Sequence, residues 1–401
     1  MVLSHWIHFK ESLPFESSGL PQGCMACGGN SSKESIKKWM SNWSDLGNYL
    51  DFYLVLAGSK TAEINGISAA GLTPSSRRFT ALADAECLLK GPQINPRWQL
   101  PPLPAGFSPA LISFIGSKWL NLQPQVISAG LFQQPDFPHI SMESPLLGPS
   151  ECLSSGKAMD LARVINLLEQ GYEMGKKNQR PLVISECVPG GTTTAQAVMT
   201  GLGIPVADWM GSSMRTPPVE LKKKIINKGL EAAELGEDPS SEELIAALGD
   251  PFQPIALGLL LGAREIGQPV LLGGGSQMLA VLALALRTID IKKRSDFLEG
   301  VSIATTNWLF CETISSQRSK RAFLQLIMLV ERHFNVAILA LCSGLRFYRS
   351  TNKVLRDYEM GFIKEGVGAG AISLLAQLNG ATCKELVKAC DHAINSLSEK
   401  K

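Results

Sequence analysis

The stretch Pro181-Leu-Val-Ile-Ser185, continuing as Glu186-Cys-Val-Pro-Gly190-Gly-Thr-Thr-Thr-Ala195, carries the reading of the fold. A short apolar run breaks on Pro-Gly-Gly and re-enters as a helix-compatible segment, so a strand feeds a helix through a tight turn. Working outward, the same rhythm recurs. Strands are expected at 52–57, 111–115, 125–128, 181–185, 269–272, 301–304 and 336–341. Helices are expected between them at 75–89, 157–177, 192–200, 219–235, 251–266, 276–287 and 318–333. In the helix at 157–177, Leu161, Val164, Ile165, Leu168 and Tyr172 form one apolar stripe suited to packing on a sheet. Strands alternating with helices imply an α/β fold, a three-layer αβα arrangement around a mostly parallel, Rossmann-like sheet over 50–345. The remainder, 346–401 together with 35–49, reads as a smaller helical unit. Residues 1–34, with Trp6, Phe9 and Phe15 scattered among Ser, Gly and Pro, read as a poorly ordered N-terminal extension.

Composition narrows the partners. The chain has 401 residues, 45% of them hydrophobic, with 38 Lys+Arg against 36 Asp+Glu. That near-balance provides no basic field for nucleic acid or anionic lipid, so a small-molecule partner is expected. The most apolar runs, 278–286 and 335–345, fall short of the roughly 20 residues that span a bilayer. With no leader-like N-terminus, a cytoplasmic protein is expected. Nine scattered Cys fit reduced thiols better than a disulfide framework. Cys24 and Cys27 form one C-x-x-C, but the five His are isolated and no second ligand pair follows, so neither a metal nor any other cofactor is expected.

Three glycine clusters precede helices: Gly190-Gly191-Thr192-Thr193, Gly273-Gly274-Gly275-Ser276-Gln277, and Lys364-Glu365-Gly366-Val367-Gly368-Ala369-Gly370. Glycine admits close backbone approach, and a helix N-terminus offers free N–H donors, a combination suited to phosphate. Each cluster alone also reads as a tight connection; in an open parallel sheet all three converge at the carboxyl ends of the strands. Neither the Walker A pattern nor G-x-G-x-x-G after a first strand is present. The segment 186–194 has the look of a site for pyrophosphorylated ribose, but Glu186 lacks the acidic neighbour that a divalent cation needs. A metal-free phosphate site is the better reading.

These motifs resemble the nicotinate-nucleotide:dimethylbenzimidazole phosphoribosyltransferases of cobalamin synthesis, and more closely a divergent archaeal and cyanobacterial branch of that family. The resemblance runs from about Phe52 to the third cluster. It is carried by Gly66-Ile-Ser68-Ala-Ala-Gly-Leu-Thr-Pro74 with Arg77-Arg78, the 186–195 turn, Asp250-Pro251 leading to Gly262-Ala263, the 272–277 turn, and 364–370. It implies transfer of ribose 5-phosphate from nicotinate mononucleotide to an aromatic lower-ligand base, giving an α-ribazole phosphate, by a homodimer without cofactor. Glu365 matches the family's general base, with Lys364 standing where glycine is usual. Glu186 matches a second active-site carboxylate. Gly190, Gly191, Thr192, Thr193, Gly274, Gly275, Ser276, Gly366 and Gly368 match the region around the nucleotide, and Ser68 the loop lining the base. One amine from Lys222-Lys223-Lys224, taken as Lys223, is expected on the phosphate.

The chemistry agrees with that implication. A nicotinate nucleotide leaves as an already cationic pyridinium, so departure needs no metal, while the acceptor must shed a proton to one partly desolvated carboxylate. Read without the resemblance, Glu365 serves equally as a helix-capping carboxylate, and Glu186 as a group orienting its turn through backbone N–H donors. Two alternatives stay open: a non-catalytic nucleotide-binding or sensor protein of this fold, and the same transfer to another acceptor such as adenine or a phenol.

Overall fold

The computed structural model describes residues 19–46, 49–101, 103, 105–313 and 320–399; Trp6, Phe9, Phe15 and the expected helix start at 318 lie outside them. Eight strands form one sheet: β1 Met25–Cys27, β2 Asp51–Ala57, β3 Gln125–Ala129, β4 Ile140–Ser141, β5 Leu182–Cys187, β6 Val270–Gly273, β7 Val301–Thr305 and β8 Ala340–Cys342. Their order is β1-β8-β7-β6-β5-β2-β3-β4, parallel throughout except β1, which runs antiparallel to β8. Strand parity divides the core. Tyr53, Val55 and Ala57 of β2 enter one hydrophobic cluster, whereas Phe52, Leu54 and Leu56 enter the other. Helices cover both faces, which is the expected αβα arrangement, and burial on both sides is why these parallel strands read as continuous apolar runs.

Several expectations are corrected. The run 111–115 lies inside the helix Ala110–Trp119, which follows Pro109 at its N-cap. A short apolar run carries too little periodicity to separate a buried helix from a strand. The N-terminal segment is no extension from residue 24 on, since Met25–Cys27 is an edge strand registered against Ala340–Cys342. The helices Lys33–Trp43, Ala369–Leu378 and Cys383–Glu399 form no separate unit. They share a cluster with Phe52, Leu54 and the helices Thr80–Lys90 and Ala110–Trp119, and so complete the second helical layer.

The helix Leu161–Lys177 buries Val164, Leu167, Gly171 and Gly175, and leaves Leu161 and Ile165 43% and 40% exposed. Of the expected stripe, Val164 is buried and Leu168 packs against the core, whereas Leu161 and Ile165 give way to a glycine face. A Cβ on Gly171 would sit 2.5 Å from the Ile255 carbonyl oxygen, and one on Gly258 2.2 Å from that of Leu168. The backbones of this helix and of Phe252–Glu265 therefore touch, a contact only glycines permit.

Candidate active site

From β2 the chain moves outward through β3 and β4, and from β5 it moves the other way through β6, β7 and β8. The sheet therefore reverses direction between β2 and β5, where ligands bind at the carboxyl ends of strands. A cavity of about 150 Å³ opens there. Glu186 to Thr192, Gly275 to Gln277 and Lys364 to Val367 all line it, so the three glycine clusters converge on one site.

Two helices present their N-termini to the cavity, Gly191–Gly201 and Ser276–Thr288. Gly190 caps the first with φ +82°, a left-handed conformation that lets the turn fold under the helix. Behind the two turns lies Asp250. It accepts from Thr194 Oγ1 at 2.5 Å and from Gln277 Nε2 at 2.7 Å, and so ties both turns to one buried carboxylate. Burial raises its pKa, while those donors and the Phe252 and Gln253 N–H groups oppose the rise. The Asp250-Pro251 motif thus holds the two helix N-termini in register.

Glu186, next to the last residue of β5, lies opposite Val55 of β2 and lines the cavity. Its Oε2 accepts from Val188 N at 2.6 Å, and its carbonyl oxygen accepts from Val367 N at 3.1 Å. Desolvation, with the negative charges of Asp250, Glu365 and Asp84, pushes its pKa up to about 8. Glu365 lines the same cavity but is held by four donors: Thr305 Oγ1, Thr306 N, Gly366 N and Gly370 N. Burial raises its pKa and those hydrogen bonds pull it back.

Of the remaining expected residues, Ser68, Gly190, Gly191, Thr192, Gly275, Ser276 and Gly366 line the cavity. Four do not. Thr193 is wholly buried in its helix. Gly274 spends its N–H on the Ala304 carbonyl. Gly368 caps the helix Ala369–Leu378 against the Ser185 side chain. Lys223 faces solvent, paired with Asp208 and Glu220. The inward lysine is its neighbour Lys222, because adjacent helical residues point to different faces. Lys222 Nζ donates to Thr192 Oγ1 at 2.9 Å and to the Gly211 carbonyl at 3.1 Å. Burial lowers its pKa to about 7, against the pull of Glu312.

Sequence reading missed Asp84. It lines the cavity near Leu100, Pro101 and Leu103, accepting from Ser108 Oγ at 2.6 Å and Cys187 Sγ at 3.3 Å. Burial raises its pKa to about 6. Nothing in its surroundings, Ala81 to Leu88, marks it as different from an ordinary helical acid. Arg77 of the expected base loop lines nothing; it bonds the carbonyls of Gly71, Ala62 and Ile64 and braces the loop from within. The C-x-x-C is split by the sheet, with Cys27 in one core cluster and Cys24 in the other. Among the described residues no cluster of His, Cys, Asp or Glu is placed to hold a metal ion, and no helix is long and apolar enough to cross a membrane.

Comparison with known proteins adds the following. Residues 114–294 match a family described as phosphoribosyltransferase. A UPF0284 protein of Prochlorococcus marinus (strain MIT 9313) is 52% identical over 390 residues, covering 97% of this chain and 96% of that protein. A UPF0284 protein of Cyanothece sp. (strain PCC 7425) is 40% identical over 345 residues, covering 85% of this chain and 89% of that one. Among solved structures, CobT from Thermus thermophilus superposes with a TM-score of 0.53 at 16% identity, covering 85% of this chain and 83% of its own. A nicotinate-nucleotide-dimethylbenzimidazole phosphoribosyltransferase from the same organism gives 0.52 at 16%, covering 86% and 83%. At that identity the likeness is one of fold.

Proposed function

The chain belongs to the UPF0284 family and is a phosphoribosyltransferase, and we propose that its cavity transfers ribose 5-phosphate from nicotinate mononucleotide to the nitrogen of an aromatic lower-ligand base. The observation that carries this reading is the convergence of two helix N-termini and three carboxylates on one cavity. Helix N-termini supply N–H donors and a positive dipole end to a phosphate. Glu365 and Asp84 place negative charge where a cationic pyridinium nucleotide is favoured, and Glu186 adds to it once ionised. Lys222, rather than Lys223, is the amine that supports the Thr192 turn on which the phosphate rests. The apolar wall of Leu100, Pro101 and Leu103 suits a flat acceptor base.

The reading includes a homodimer. Its support in this chain is the exposure of the large apolar side chains Leu146, Leu147, Leu161 and Ile165. A monomer mass by light scattering at micromolar concentration removes that part alone.

Incubation with nicotinate mononucleotide and a panel of bases, including 5,6-dimethylbenzimidazole and adenine, followed by mass analysis, tests the reaction. A ribosylated base phosphate with stoichiometric nicotinate is expected. Nucleotide binding without product for every base overturns transfer in favour of a binding protein.

A further inference from the structure

Two carboxylates of the cavity are candidates for the acceptor's proton, and their surroundings differ. Glu365 Oε2 accepts from Thr305 Oγ1 at 2.9 Å and Thr306 N at 2.6 Å; Oε1 accepts from Gly366 N at 3.0 Å and Gly370 N at 3.2 Å. A carboxylate has about four lone-pair sites. All four are in use. A proton placed on either oxygen has to displace one of these donors and leave it unpaired in a buried site.

The backbone around Glu365 explains why it is held so fully. Ile363, Lys364, Gly366, Val367 and Gly368 all have positive φ, at +66°, +73°, +150°, +55° and +74°. Three of these are not glycine, so the turn stores strain that surrounding bonds must hold. Glu365 binds the end of β7 at 305–306 to the first turn of the helix Ala369–Leu378, with its charge at that helix's N-terminus. It closes the turn on itself.

Glu186 is the opposite case. Only its Oε2 is bonded, by Val188 N, and Oε1 has no hydrogen bond among the described residues. Glu186 and Glu365 are both half-buried and line the cavity, so the difference between them is the unbonded oxygen. The charged groups facing it are Asp250, Glu365 and Asp84, all carboxylates, with the Cys187 thiol beside them.

Resting on the reaction proposed above, we infer that Glu186 is the catalytic base and that Glu365 is a positioning residue that holds the 363–368 turn. As the acceptor's ring nitrogen bonds to C1 of the ribose, the acceptor's N–H proton passes to Glu186 Oε1. The C1–pyridinium bond breaks, and its electron pair stays on the ring nitrogen of departing nicotinate. No other reactant is consumed. Burial, with crowding by like charge, raises the proton affinity of the Glu186 carboxyl, so its ionised form, which grows as the pH approaches 8, is the one that takes the proton.

The experiment pairs Glu186→Gln with Glu365→Gln, with nicotinate mononucleotide and an accepted base, and measures kcat, KM and pH–rate profiles. Glu186→Gln is expected to lower kcat by roughly 10²-fold or more and to lose the acid limb of the profile. Glu365→Gln is expected to raise KM and lower thermal stability while its residual turnover keeps that limb. Glu186→Asp, which retains a carboxylate, is expected to keep the limb at reduced rate. Infrared titration of unliganded protein provides a readout that needs neither turnover nor a correct choice of base. A carboxylic-acid C=O band lost on raising the pH through about 8 should be present in wild type and in Glu365→Gln, and absent from Glu186→Gln. Wild type inactive with every base overturns the reaction and the catalytic role with it, while the titration separately shows which carboxyl holds the proton. An acid limb or a band that survives in Glu186→Gln and vanishes in Glu365→Gln overturns the assignment.

Discussion

Lys364 Nζ lies 2.5 Å from Glu312 Oε1, with the two side chains only 4% and 9% exposed. The same ammonium donates to the carbonyls of Ser212 at 2.8 Å and Met214 at 3.0 Å, so it straps the 363–368 turn to the 211–214 loop. Lys364 has φ +73°, a conformation that favours glycine. Here the strain of a lysine in that conformation is offset by a buried ion pair. Breaking such a pair leaves an uncompensated buried charge, so Glu312→Ala is expected to cost about 3–5 kcal/mol of stability. Denaturant unfolding measures it; a loss under about 1 kcal/mol would make the strap incidental.

Glu186 gives a signed pH dependence of stability. Its folded pKa, about 8, lies above the 4.5 of an ordinary glutamate, so the folded protein binds the proton more tightly. That contribution is fully present below pH 4.5 and is lost as pH rises through 8. Glu186→Gln removes the titration. The variant should melt several degrees above wild type at pH 8.5, with the gap narrowing toward pH 5. A gap that is constant with pH contradicts a raised Glu186.

The two lysines separate cleanly by mutation. Lys223 pairs with Asp208 and Glu220 at the surface, its side chain 37% exposed, and Lys223→Ala should change stability by less than about 0.5 kcal/mol and leave nucleotide affinity alone. Lys222→Ala removes the donor that fixes Thr192 and the Gly211 carbonyl, and should weaken nucleotide binding by about tenfold or more by calorimetry. Equal effects from both would return the phosphate contact to the surface.

Asp250 is shared by the two glycine-rich turns at 190–194 and 273–277. Thr194 and Gln277 both donate to its Oδ2 and the Phe252 N–H donates to Oδ1, so the single oxygen of an Asn leaves donors on one side facing its NH2 group. Asp250→Asn is expected to lose about 1–3 kcal/mol and to raise KM for the nucleotide more than it lowers kcat. A fall in kcat alone would place Asp250 in the chemistry instead.

By itself the sequence determined the class of fold and the place of the site. Continuous apolar runs at 52–57, 181–185, 269–272 and 301–304 are what a strand buried on both faces requires, and all lie in the sheet. Glycine at 190, 275 and 366 marked turns against a ligand because no other residue gives that approach so cheaply, and these turns do line one cavity. Period and composition are local properties, and so they are written locally.

Tertiary structure decided the rest, for a reason visible at single residues. Whether 111–115 is strand or helix, whether Leu161 or Gly171 faces the core, and whether Met25–Cys27 joins the sheet all depend on what lies across the interface, and each partner is far along the chain. The same holds for the carboxylates. Glu186 and Glu365 are alike as letters in a Gly-rich turn; one has a bare oxygen in the cavity and the other four donors, contributed by Thr305, Thr306, Gly366 and Gly370. Proton affinity is set by solvation and neighbours in space, which only the folded chain assembles.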